Sequence, residues 1–186
     1  GANALTEVVD TDGNTAVGCD VLPAFYGNYA TVVGFNAGEN ATTAANLVAI
    51  GKDSASNLRS GDSNTCIGVG SMGSLLGDNN TALGYAALQD DCDDDNAAIG
   101  KSALAVFRGS DAVAVGSSAG STITTATDCT LLGKSATASA TSGTANQTVI
   151  GASTTGVADN SVTLGNAAVT AIYAAQDSGA TIHCAG

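Results

Sequence analysis

Hydrophobic and polar positions along this chain alternate in short bursts, and the bursts recur. One five-residue phrase, in outline a small or polar residue, then Thr or Val, a small residue, an aliphatic residue and Gly, is written ten times. The closing glycines are Gly18, Gly34, Gly51, Gly68, Gly84, Gly100, Gly116, Gly133, Gly151 and Gly165, spaced by 16, 17, 17, 16, 16, 16, 17, 18 and 14 residues. Self-similarity at a nearly fixed period marks a stacked repeat. This period is too short for helical hairpins or propeller blades. It fits one turn of a β-solenoid, read here as two short strands and two turns per coil.

Within each phrase the columns predict which way side chains face. The residue before Gly is aliphatic in every copy: Val17, Val33, Ile50, Ile67, Leu83, Ile99, Val115, Leu132, Ile150 and Leu164. In a strand it shares a face with the Thr, Val or Ala two positions earlier. The position between them is small and mostly apolar (Ala16, Val32, Ala49, Cys66, Ala82, Ala98, Ala114, Leu131, Val149, Thr163) and takes the opposite face. Both faces are therefore expected to be buried. One fills the roll; the other needs a cover that no spare segment of the chain is long enough to supply. Sister copies in a closed, three-fold oligomer are the simplest cover. The small column is the one expected at the packed axis, because it lets backbones approach closely. After each Gly a second phrase (Val21-Leu22, Ala87-Leu88, Ala103-Leu104) reads as the start of a second strand, and runs such as 60–64 and 77–80 read as loops. The expected fold is an all-β parallel β-roll or β-solenoid of about ten coils, side by side or intertwined in a homotrimer. Residues 1–13 form a lead-in, 14–165 the repeat domain and 166–186 a terminal cap or neck.

Composition agrees with thin, repetitive β architecture. Aromatic residues make up 4% of the 186, Trp is absent and Gly numbers 24, so Ala, Val, Ile, Leu and Thr must fill the core. Five basic against 17 acidic residues give a net charge of −12, which argues against nucleic acid and anionic lipid as partners. No apolar run is long enough to cross a bilayer as a helix. The start Gly1-Ala2-Asn3-Ala4 and a sole methionine at Met72 read as a processed product or a fragment.

Candidate chemistry is sparse. Lys52, Lys101 and Lys134 directly follow a repeat glycine, in one phase with Phe35 and Tyr85, and this column is a candidate recognition surface or a solvated flank. Asp90, Asp91, Asp93, Asp94 and Asp95 surround Cys92 in the one dense acidic cluster, a candidate for Ca²⁺ through hard oxygen ligands or a charged solvated turn. Of five cysteines, Cys19 and Cys184 lie near the two ends and are candidates for interchain disulfides, the alternative being free thiols throughout. Gly68-Val69-Gly70-Ser71-Met72-Gly73 matches a dinucleotide fingerprint without the following helix. Gly116-Ser117-Ser118-Ala119-Gly120 matches a nucleophile elbow, but the single histidine, His183, is close to the chain end. Both fall in repeat phase, and neither catalysis nor a cofactor is expected.

Several of these phrases resemble a known family. Asn160-Ser161-Val162-Thr163-Leu164-Gly165 and Leu47-Val48-Ala49-Ile50-Gly51-Lys52-Asp53-Ser54-Ala55 resemble the head repeat of YadA-like trimeric autotransporter adhesins. Asn80-Thr81-Ala82-Leu83-Gly84-Tyr85-Ala86-Ala87-Leu88 resembles the variant found in bacteriophage tail fibres and virion appendages. The resemblance implies a left-handed parallel roll, three chains per rod and a role in attachment. Residues 160–186 resemble the segment such fibres carry before a C-terminal chaperone domain that is cleaved off after assembly. The functional expectation is a structural, non-enzymatic fibre on a virion or outside the cell, with an unidentified glycan or protein receptor. An extracellular adhesin and a self-polymerising filament are the alternatives. An ice-binding solenoid needs an exposed Thr array, and the Thr column (Thr15, Thr31, Thr65, Thr81, Thr130, Thr148) falls in the phase expected to be buried.

Overall fold

The computed structural model describes residues 1–7, 11–73 and 76–172. Ten short strands form one wholly parallel sheet: β1 (Thr15–Cys19), β2 (Thr31–Phe35), β3 (Val48–Ile50), β4 (Thr65–Ile67), β5 (Thr81–Leu83), β6 (Ala97–Ile99), β7 (Val113–Val115), β9 (Thr130–Leu132), β11 (Gln147–Ile150) and β12 (Ser161–Leu164). They lie in chain order, one per coil, so the chain winds through about nine turns of a β-solenoid. A second, two-stranded parallel sheet pairs β8 (Thr125–Thr127) with β10 (Ser142–Thr144). The described residues contain no α-helix.

Register follows the repeat. Thr31 pairs with Val48, Val48 with Thr65, Thr65 with Thr81 and Thr81 with Ala97, so each glycine spacing in the sequence is the length of one coil. Cross-coil bonds extend the ladder beyond the strands. From Gly34 to Gly151, the second residue after the repeat glycine donates its N–H to the first residue after the glycine one coil earlier, for example Gly70 to Lys52, Ser102 to Tyr85 and Ser118 to Lys101, at 2.8–3.0 Å.

The expected second strand is absent from most coils. Where it was expected, the chain turns through left-handed residues at the second and fourth positions after the glycine, for example Ser102 (φ +54°) and Leu104 (φ +49°). A third left-handed corner precedes each strand, at positions such as Asn79, Asp95 and Asp111. Left-handed backbone suits Asn and Asp and is unfavourable for Leu. Leu22, Leu88 and Leu104 hold it because their side chains are fully buried. The repeat glycine is confined more tightly still. At Gly100, φ is +134° and a Cβ would meet the backbone of Gly116 at 2.6 Å.

The interior is a narrow column. Its sheet side is the inward residue of strands β2–β7, β9 and β11 (Val32, Ala49, Cys66, Ala82, Ala98, Ala114, Leu131, Val149), all fully buried. Leu22, Met72, Leu88 and Leu104 at the corners and Phe25, Leu58, Phe107 and Ile123 beyond them complete it. Volume is traded between neighbours. Where the strand contributes Leu131, a nearby corner is Gly120, whose added Cβ would meet Leu104 Cδ2 at 2.6 Å and Leu131 Cδ1 at 3.0 Å.

Buried asparagines tie coils together. Asn64, Asn80 and Asn96 each accept from the backbone N–H sixteen residues ahead (Asn80, Asn96 and Ala112, 2.8–3.0 Å). Their amides donate to the carbonyls of Gly77, Asp93 and Gly109. Each side chain thus satisfies one donor and one acceptor that the irregular part of the coil would leave orphaned. The first turn is covered by the chain before it: Asp20 donates to the Ala2 carbonyl, and Leu5 and Glu7 donate to Val21 and Pro23.

Candidate functional site

The outer face of the ten-stranded sheet is the main surface feature. The small column that was expected at a symmetry axis lies inside the coil, and the aliphatic column lies outside. A coil of about sixteen residues encloses too little volume for a ladder of Ile and Leu beside its corner leucines, so alanine-sized residues face inward. Val17, Ile50, Leu83, Ile99, Val115, Ile150 and Leu164 are 37–55% exposed in the single chain. Beside them run Thr15, Thr31, Val48, Thr65, Thr81, Ala97, Val113, Thr130, Thr148 and Val162, exposed or half-buried. The Thr column is thus on the open face, not in the buried phase assigned to it from the sequence. None of the twenty side chains in these two columns is charged.

Two borders flank this face. Beyond its downstream edge stands the column immediately after the glycines: Phe35, Lys52, Val69, Tyr85, Lys101, Ser117 and Lys134, all exposed. The recognition column expected from the sequence is therefore contiguous, with Val69 and Ser117 filling its gaps. Lys52 Nζ lies 2.7 Å from Asp53 Oδ2, and Lys101 Nζ stands 6.0 Å from the centre of the Tyr85 ring. A cleft of about 380 Å³ opens beside Lys52, Val69, Gly70 and Tyr85. Beyond the upstream edge stands the left-handed column Tyr29, Asn46, Ser63, Asn79, Asp95, Asp111, Asp128, Asn146 and Asn160.

The acidic cluster is spread along the coil. Asp90 pairs with Arg108 at 3.0 Å. Asp94 accepts from the Asp78 N–H at 2.8 Å, continuing a ladder in which Asp78 accepts from Asp62. Asp91, Asp93 and Asp95 are exposed, and Cys92 between them is buried. Among the described residues no three His, Cys, Asp or Glu side chains come together to hold a metal ion.

The cysteines divide by burial. Cys66, Cys92 and Cys129 are buried free thiols. Cys66 donates to Met72 Sδ at 3.0 Å, and burial, with Cys92 nearby, pushes its thiol well above the ordinary range. Cys19 is half-buried and donates to Asp20 Oδ2 at 3.1 Å, an interaction that raises the thiol and, with the amide of Asn3, lowers the Asp20 carboxyl. Cys184 and His183 lie outside the described residues, as does most of the expected terminal segment. The fingerprint and elbow glycines Gly68, Gly70, Gly116 and Gly120 occupy ordinary coil positions in the ladder.

No family model matches this chain, and no curated protein or solved structure is significantly similar to it.

Proposed function

We propose that the chain is a structural, non-enzymatic fibre subunit. Three copies pack their outer sheet faces around a common axis to make a rigid rod for attachment, as part of a virion tail fibre or appendage. The observation that carries this reading is the charge-free aliphatic face. Parallel sheets are ordinarily covered on both sides, and a contiguous exposed apolar strip of this length marks an association surface. Sister copies suit it best. Their aliphatic rows repeat at the same strand spacing of about 4.8 Å, so the ridges of one copy stay in step with those of the next along the whole rod. A chain with net charge −12 can also approach itself closely only where no carboxylate intervenes.

Stacking of each coil on its neighbours gives stiffness without a large core. A bacterial extracellular adhesin or a filament subunit would use the same rod, and electron microscopy of the purified protein separates discrete rods from open polymers. The exposed Thr column favours one further reading, an ice-binding face, which requires a monomer with that face open. Thermal hysteresis measured beside the oligomeric mass separates the two: a trimer without hysteresis supports the fibre, and a monomer with hysteresis replaces it.

A further inference from the structure

The two borders of the outer face are not alike, and in three rows their end residues are complementary, while others, such as Asn46 with Lys52 and Asp111 with Ser117, are neutral to each other. In the row of β6, Asp95 precedes the strand and Lys101 follows it. In the row of β9 the same places hold Asp128 and Lys134. In the row of β2 the corresponding residues are Tyr29, before the strand, and Phe35, its last residue, 63% and 47% exposed. No row places like charges at its two ends. Within one copy the members of each pair sit on opposite borders, separated by the strand. Lys101 and Lys134 make no ion pair among the described residues, although the chain is strongly acidic.

We propose that these borders are the two halves of one joint. The upstream border of each copy docks on the downstream border of the next copy at the same height, Asp95 against Lys101, Asp128 against Lys134 and Tyr29 against Phe35. This deepens the self-association reading above and rests on it. Copies arranged with parallel strands around an axis along the rod bring unlike borders together at every joint, which is the head-to-tail contact of a closed ring. An antiparallel arrangement would bring like borders together and reverse the row order, so that Asp95 and Asp128 would no longer meet Lys101 and Lys134. The charged rows therefore select orientation and axial register, while the aliphatic face supplies the affinity.

The test is cross-linking by engineered cysteines in the full chain. Asp95→Cys with Lys101→Cys places partners in one row, and oxidation is expected to give a covalent trimer on a denaturing gel. Within a single copy this pair is separated by the extended strand, too far for a disulfide, whose Cα atoms lie no more than about 7 Å apart. Asp95→Cys with Lys134→Cys is displaced by two rows, about 10 Å, and is expected to leave monomers. Charge reversal gives a second readout. Lys101→Glu with Lys134→Glu should weaken assembly about tenfold at low salt, and adding Asp95→Lys and Asp128→Lys should restore it. Tyr29 shows that a bulky side chain is accepted in that left-handed column. A wild-type trimer that fails to cross-link in the matched pair, or does so equally in the displaced one, overturns the joint and leaves the fibre reading intact. A wild-type monomer overturns both.

Discussion

The inner and outer faces of the same ten strands are built from opposite materials. Inside, Ala49, Cys66, Ala82, Ala98 and Ala114 are fully buried by the chain's own coils. Outside, Ile50, Leu83, Ile99 and Val115 carry more apolar surface and leave much of it open. A globular domain would place its larger aliphatic side chains in its own core. Here the inward strand positions are mostly small, corner residues such as Leu88 and Leu104 with asparagine ladders and glycine turns complete the coil, and the larger aliphatic residues of the strands face outward. If the outer face is the assembly surface proposed above, folding and assembly use different sides of one sheet.

The sharpest way to break this comparison is to place a carboxylate on each side in turn. Ala98→Asp buries an unpaired charge within the coil, at a cost of several kcal/mol, and is expected to abolish the β circular-dichroism spectrum. Ile99→Asp, one residue later, is expected to keep that spectrum and lose the oligomer in sedimentation. If both variants unfold, or neither disturbs assembly, the division of labour is wrong.

Gly100→Ala tests the corner. The φ of +134° and the 2.6 Å approach to Gly116 should cost about 3 kcal/mol, read as a lower urea midpoint. Asn80→Ala should cost about 2 kcal/mol, because it strands the buried Asn96 N–H. Asn80→Asp, which keeps the acceptor and loses the amide donor to Asp93, should be no better. The smallest effect is expected at the first turn. Hydrogen bonds from Asn3 and Cys19 hold the Asp20 carboxyl below its ordinary range. A depressed carboxyl contributes stability above its unfolded-state pKa of about 3.9 and loses it as pH falls through the lower folded value. Hydrogen exchange at the Asp20 amide should therefore quicken below that range, and Asn3→Ala, which leaves only the Cys19 hydrogen bond, should reduce the dependence.

Much of the fold is legible in the sequence, because the near-equal glycine spacing is the length of one coil and the pairing follows that register strand by strand, through about nine turns where about ten coils are expected. Which face points inward is not. Alternation says that Thr81 and Leu83 share a side, not which side, and the deciding quantity is the volume enclosed by a short coil. The pairing of Leu131 with Gly120 was the available signal, a large strand residue compensated by a missing side chain at the corner. The second strand fails to form although Leu88 and Leu104 look like strand residues, and nothing local announces a left-handed leucine. The exposed column from Phe35 to Lys134 was read from spacing alone. Its relation to Asp95 and Asp128 needed the register, which sets both borders on the same rows.

The most direct test of the central claim is the native mass of the purified chain at low micromolar concentration, by sedimentation or native mass spectrometry, with and without reductant. A species of three times the 17.9 kDa chain is expected in both conditions. A stable monomer with the β spectrum intact would mean that the aliphatic face needs no sister copy, and would contradict that claim.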